Sequence, residues 1–232
     1  MTHASKRPRV ICHMMASLDG RIVTEGWPLS AEERRQYEQV HAAYEADAWL
    51  CGRVTMESFA AGTRSDAEVA REHRGATRED FVAPGEHESC AIAVDPRGKL
   101  LWESGDMDGD HVVAVLNERV SDDCLATLRE RGVSYFLAGA DDVDLPRALE
   151  KIGERLGVRT LMLEGGGGIN GSFLRAGLVD EVSLLVAPVA DGRVGTPALF
   201  DAEGAAPRRL ALEHVEQRAD DVLWLRYRVV RP

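Results

Sequence analysis

Leu161-Met162-Leu163-Glu164-Gly165-Gly166-Gly167-Gly168-Ile169-Asn170-Gly171-Ser172-Phe173-Leu174 joins an apolar run of strand character to four consecutive glycines and then to a helix-like pattern. Successive glycines let the main chain approach a ligand where any Cβ would collide. The first turn of the helix that follows leaves N–H groups without intrahelical partners, and these favour anions. A strand–glycine–helix unit of this kind cradles a pyrophosphate. Without a ligand the same glycines would be a plain turn.

A second turn of the same construction lies at Gly52-Arg53-Val54-Thr55-Met56-Glu57-Ser58, after the short apolar run 47–51. Gly52 permits the tight turn, Arg53 offers a planar donor fork suited to phosphate, and Thr55 is placed to cap the helix or to donate to a phosphate oxygen. Read alone, the segment is equally a helix cap beside a solvent-exposed arginine. Two such turns in one chain give two phosphate-binding devices, as a dinucleotide carrying an additional 2′-phosphate needs.

Outward from these turns the chain alternates strands and helices. Strands are expected over 8–17, 47–51, 90–95, 111–116, 133–138, 159–163 and 181–188. Ser30-Ala31-Glu32-Glu33 reads as an N-cap with a capping-box glutamate, opening a helix to about residue 44. Further helices are expected over 54–60, 121–131 and 145–156, and the polar stretch 62–88 reads as a long excursion. This rhythm predicts an α/β fold with a mainly parallel central sheet covered on both faces. The chain end differs: 210–217 and 222–230 flank Ala219-Asp220-Asp221 as a C-terminal antiparallel hairpin. No repeat or linker interrupts 1–232, so a single domain is expected, with residues 1–7 as a flexible tail.

The 232 residues carry a formal net charge of −11, with 44% hydrophobic and 29% charged residues. That charge disfavours a nucleic-acid partner, whose phosphates need a basic footprint, but not a small anionic ligand held in a local pocket. No apolar run reaches membrane-spanning length and the first residues lack the apolar core of a signal peptide, so a cytoplasmic protein is expected. Cys12, Cys51, Cys90 and Cys124 form no C-x-x-C pair, and Cys12, Cys51 and Cys90, in apolar strand-like runs, read as buried small hydrophobes. The histidines show no metal-ligand spacing, so no metal is expected.

Three ordered motifs carry a resemblance to a known family. Gly52-Arg53-x-Thr55-x-x-Ser58 resembles the segment of dihydrofolate reductases that meets the phosphate end of NADPH. Ala16-Ser17-Leu18-Asp19-Gly20-Arg21-Ile22 resembles the S-L-D-G-R-I signature of the riboflavin-biosynthesis reductases, the RibD C-terminal domain family, which share that fold. Glu164-Gly165-Gly166-Gly167, with Ser172-Phe173-Leu174 and Gly177-Leu178-Val179-Asp180-Glu181, resembles the same family's E-G-G, S-F-L and G-L-V-D-E block. The resemblance spans about residues 8–230. It implies a dihydrofolate-reductase-like three-layer sandwich, NADPH as cofactor and a small-molecule substrate, with a phosphorylated ribosylaminopyrimidine the leading candidate. It also implies a homodimer, to which the C-terminal hairpin with Trp224 and Tyr227 would contribute.

The resemblance also implies roles for single residues. Gly166, Gly167, Gly168, Ile169, Asn170 and Ser172 would line the pyrophosphate turn. Gly52, Arg53 and Thr55 would hold the adenosine phosphate side, and Ala16 and Trp27 would lie near the nicotinamide. Asp19 and Glu164 would be the catalytic carboxylates; Asp19-Gly20 is also a tight-turn pair, Glu164 a possible helix cap and Trp27 a possible packing residue. Asp180 and Glu181 read as structural.

One segment departs from the family. The D-D-P-x-L-T-x-R-like stretch that holds the substrate's ribose phosphate is absent: residues 58–64 read Ser-Phe-Ala-Ala-Gly-Thr-Arg. Arg64, Arg71, Arg74 and Arg78 are candidate replacements. Reduction of a pterin or another C=N or C=O substrate, with Glu32 or Glu33 as the acid, and a catalytically silent NADPH-binding module therefore stand as alternatives.

Overall fold

The computed structural model describes residues 7–71 and 78–231, without the side chains of residues 70 and 71. The expected tail over 1–7 falls, but for Arg7, outside the described residues, as do Arg74 and the side chain of Arg71.

In chain order the main elements are β1 (Arg9–Ala16), α1 (Ala31–Ala43), β2 (Ala48–Gly52), α2 (Arg53–Met56), α3 (Asp66–Arg71), β3 (Cys90–Val94), β4 (Asp110–Leu116), α4 (Asp122–Glu130), β5 (Ser134–Leu137), α5 (Leu145–Leu156), β6 (Thr160–Leu163), α6 (Gly167–Arg175), β7 (Glu181–Val186), β8 (Leu210–Gln217) and β9 (Leu223–Val229). They divide into two compact units. One comprises 1–8 and 47–159, the other 9–46 and 160–232.

In the unit of 9–46 and 160–232, β1 lies between β6 and β7 and is parallel to both, with Ile11 opposite Met162 on one side and Glu181 on the other. Seven of its eight residues are buried. This two-sided burial is what an unbroken apolar run demands of a strand inside a parallel sheet. β9 pairs antiparallel with β7, and β8 with β9. α1 begins at Ser30, whose hydroxyl accepts from Glu33 N–H while the Glu33 carboxylate accepts from Ser30 N–H. Val40, Tyr37 and Tyr44 of this helix side pack with Met15, Trp27, Leu185 and Val222.

In the other unit β2, β3, β4 and β5 are parallel neighbours in that order. Its core gathers Ala91, Ala93, Val112, Ala114, Leu125, Leu128 and Tyr135. The expected excursion contains α3 and a short strand, Gly62–Thr63, paired antiparallel with Leu100–Leu101. Both units thus show the mainly parallel α/β arrangement read from the sequence, and the unit of 9–46 and 160–232 is finished by the antiparallel hairpin.

The pairing within the hairpin sets which side chains share a face. Leu210 faces Val229, Leu212 faces Tyr227 and Val215 faces Leu225, with a bulge at Glu213 between them. Because side chains alternate along a strand, Leu223, Leu225, Tyr227 and Val229 share one face. Trp224 belongs to the other, where its indole N–H donates to Ser183 Oγ at 2.9 Å.

Candidate functional site

The glycine turn between β6 and α6 is two-sided. Gly165 has φ +101, a region L side chains avoid, and a Cβ there would stand 3.1 Å from the Met14 methyl. A Cβ on Gly167 would stand 2.3 Å from the Ala198 carbonyl oxygen, and one on Gly171 2.8 Å from Ala202. The Gly167 carbonyl accepts from Asp201 N–H, and Asn170, fully buried, donates to the Leu199 carbonyl at 3.1 Å. Gly167 and Asn170, expected to line the ligand, therefore serve close packing against 198–202. Gly168 differs: a Cβ would find nothing nearer than the Asp201 carbonyl at 3.9 Å. Gly166 caps α6 with no side-chain hydrogen bond, and among the described residues no side chain accepts from the N–H groups of Gly168 and Ile169. Ser172 Oγ bonds the Gly168 carbonyl at 2.9 Å. An uncapped first turn beside open space fits a bound anion.

Glu164, immediately before this turn, is only 12% exposed. It accepts from His41 Nδ1–H at 2.7 Å. His41 lies in the last turn of α1, where the helix dipole favours a cationic imidazole. Beneath it, His13 is fully buried and stacks on Tyr37 with ring centroids 4.4 Å apart. His13 Nε2–H donates to the Tyr37 carbonyl and Nδ1 accepts from Ser183. Burial lowers the His13 pKa against the opposing pull of the Glu164 charge, and His41 pushes it the same way as burial. The result is a neutral imidazole buttressing the His41–Glu164 hydrogen bond. The pairing joins residues 123 apart in sequence, and local pattern gives no signal for it.

One helical turn from His41, α1 borders a cavity of about 360 Å³. Met14, Met15, Ile22 and Leu29 give it apolar walls, and Arg34, Tyr37 and Glu38 its polar side. Arg34, Tyr37, Glu38 and His41 follow i, i+3, i+4, i+7 spacing and so share one helix face. Neither the Arg34 nor the Glu38 side chain makes a hydrogen bond or ion pair among the described residues. Sequence reasoning missed this face because its charges read as a solvated helix surface. Glu32 and Glu33, the expected alternative acids, are otherwise engaged: Glu32 pairs with Arg35 and Glu33 is the buried capping-box residue.

Asp19 is exposed and acts as a latch. It accepts from Ser17 Oγ at 2.7 Å and from the N–H groups of Asp191 and Gly192 at 2.9 and 3.0 Å. These bonds, Ser17's foremost, lower its pKa to about 2. Asp191 in turn accepts from the Trp27 indole at 2.7 Å and pairs with Arg193. Trp27 is 6% exposed and packs in the core, and Ala16 is the buried end of β1. Asp180 accepts from Val10 N–H, and Glu181 from Arg9, Tyr44 and Arg226. Burial raises the Glu181 pKa, but the bonds from Arg226 and Tyr44 outweigh it and hold the group low. Both acids are structural, as the sequence suggested.

In the other unit, Gly52 caps α2 with extended backbone and no side-chain bond. Arg53 pairs with Glu57 one turn on, which occupies part of its donor fork. Thr55 is partly buried on the same short helix. Arg78, a candidate phosphate ligand, is paired with Asp122 at 3.1 Å. Among the described residues no cluster of three His, Cys, Asp or Glu is suited to a metal, and no helix is long and apolar enough to cross a membrane.

The chain has relatives among known proteins. Over 200 residues the chain is 29% identical to the 2,5-diamino-6-ribosylamino-4(3H)-pyrimidinone 5′-phosphate reductase of Methanothermobacter thermautotrophicus, covering 85% of this chain and 86% of that one. A protein of the same description from Archaeoglobus fulgidus is 26% identical over 217 residues, 91% and 94% of the two chains. Among solved structures, a pyrimidine reductase-like protein from Corynebacterium diphtheriae shares the fold, with a TM-score of 0.71 over 97% of this chain and 93% of that one at 17% identity. Residues 8–224 match the family described as the RibD C-terminal domain. With the E-G-G turn and the S-L-D-G-R-I latch both in place, the chain belongs to that family.

Proposed function

We propose that this protein is an NADPH-dependent reductase of riboflavin biosynthesis acting on a ribosylaminopyrimidine 5′-phosphate. The family match over 8–224 carries the reading, supported by relatives bearing that activity in their descriptions. The uncapped α6 turn at Gly166, Gly168, Ile169 and Ser172 suits the cofactor's pyrophosphate. Gly52, Arg53 and Thr55 suit its 2′-phosphate side, and Ala16 marks the strand end towards the nicotinamide. When bound, the cofactor supplies hydride chemistry. The chain's own residues do the rest. Met14, Met15, Ile22 and Leu29 exclude water from one side of the substrate. Glu164, held by His41, is placed to orient a sugar hydroxyl or exchange a proton. Asp19, ionised well below neutral pH, positions the 17–22 turn rather than carrying protons. Trp27 supports the same loop.

The four buried cysteines are free thiols, which suits a reducing, cytoplasmic compartment. The hairpin face of Leu210, Leu212, Val215, Leu223, Leu225, Tyr227 and Val229 supports the homodimer: Leu212 and Val215 are more than half exposed, and contiguous apolar surface of this kind marks an interaction site.

The test is purified protein with NADPH and the diaminopyrimidine phosphate, following loss of reduced nicotinamide and the gain of two hydrogens by mass spectrometry. Turnover of dihydrofolate in its place would establish the pterin reading instead. Tight NADPH binding without turnover of either would establish a silent binding module.

A further inference from the structure

We propose that Arg34 is the phosphate-recognition residue of the cavity beside α1, replacing the ribose-phosphate segment this chain lacks. The inference rests on the reductase reading for its substrate. The absent segment leaves a dianionic phosphate without its expected partners, since residues 58–64 contain neither the paired aspartates nor the threonine–arginine end. Among the arginines near that stretch, Arg78 is spent on Asp122. Arg34 instead borders a cavity of about 360 Å³, within the size range of small-molecule sites, which pair apolar walls with a few polar groups. Its guanidinium makes no hydrogen bond or ion pair among the described residues.

Arg34 is an exposed cation beside an apolar cleft, in a chain of net charge −11. The planar fork matches phosphate bidentately. Glu38, one helical turn away on the same face and equally unpaired, is acceptor-only when ionised. The pair is bipolar, and so is the ligand in the relatives' descriptions: a 5′-phosphate at one end and amino donors on the pyrimidine at the other. Arg34 takes the anion and Glu38 takes the amino groups.

The experiment measures dissociation constants of wild type, Arg34→Ala and Arg34→Lys for three probes: the diaminopyrimidine riboside phosphate, its dephosphorylated form, and ribose 5-phosphate. Arg34→Ala is expected to weaken both phosphorylated probes about ten- to a hundredfold, the worth of a lost charge-assisted contact. It should spare the dephosphorylated one and leave the melting temperature unchanged. Arg34→Lys should restore part of the affinity. Unchanged binding of the phosphorylated probes, or equal loss for all three, overturns the assignment, as does a wild type that binds no sugar phosphate. Arg34-dependent binding of ribose 5-phosphate by a protein that binds neither pyrimidine would refute the substrate reading and leave the Arg34 site standing.

Discussion

Gly168→Ala separates the ligand-facing side of the glycine turn from its packing side. The new Cβ has only the Asp201 carbonyl for company, at 3.9 Å, an ordinary van der Waals distance. Gly168 lies inside α6 with no positive φ, so alanine enters without strain and removes freedom from the unfolded chain. Stability should rise by at most about 0.5–1 kcal/mol, or roughly 1–4 °C in melting temperature for a chain of this size. The same methyl intrudes where a pyrophosphate oxygen would meet the α6 amides. Losing one charge-assisted bond costs about 1.5–3 kcal/mol, about ten- to a hundredfold in NADPH affinity. Calorimetric titration and thermal melts on one preparation read both quantities. Gly167→Ala is the contrasting control: its Cβ would lie 2.3 Å from the Ala198 oxygen, so it should lose stability as well as affinity. A Gly168→Ala protein that melts normally and binds NADPH as tightly as wild type would refute an anion site at this helix end.

Three further outcomes are expected. Asp19, with its pKa depressed to about 2, contributes stability that is fully present above its unfolded value near 3.8 and is lost as pH falls through about 2. Asp19→Asn should flatten the fall of melting temperature between pH 4 and pH 2; an unchanged slope would show that the latch does not bear on folding. Arg53→Ala should reduce NADPH affinity about ten- to a hundredfold and leave NADH binding nearly unaltered; equal losses for the two dinucleotides, read by titration, would remove Arg53 from the 2′-phosphate. Leu212→Lys, a charge placed on the exposed hairpin face, should convert a dimer to monomers in light scattering, and a wild type already monomeric at micromolar concentration would exclude that interface.

Much of the fold was legible because it is written locally. The two-sided apolar run of β1, the Ser30–Glu33 capping box and the 161–174 transition each declare an element within a dozen residues. The hairpin was legible in place, but the bulge between Leu212 and His214, which decides that Val215 faces Leu225, has no local signal. Glu164 and the α6 turn sit where a glycine-rich strand end puts them. The roles of Gly167 and Asn170 depend on 198–202, a turn-rich stretch with no periodicity to read. His41 and Arg34 escaped notice for a different reason. A charged helix face looks the same in sequence whether it meets water or a cleft, and only the placement of Met14 and Met15 opposite it distinguishes them.

The contact between Gly167 and Ala198 has a bearing on engineering. The E-G-G turn is not a portable cassette. Its geometry is set by a mating part some thirty residues downstream, where the Ala198 oxygen, the Leu199 carbonyl and the Ala202 backbone close on Gly167, Asn170 and Gly171. Transplanting 164–172 alone into another strand–helix junction would carry the amides but not the template that aims them. Conversely, loop-shortening within 198–202 would reshape the α6 first turn without touching one of its residues.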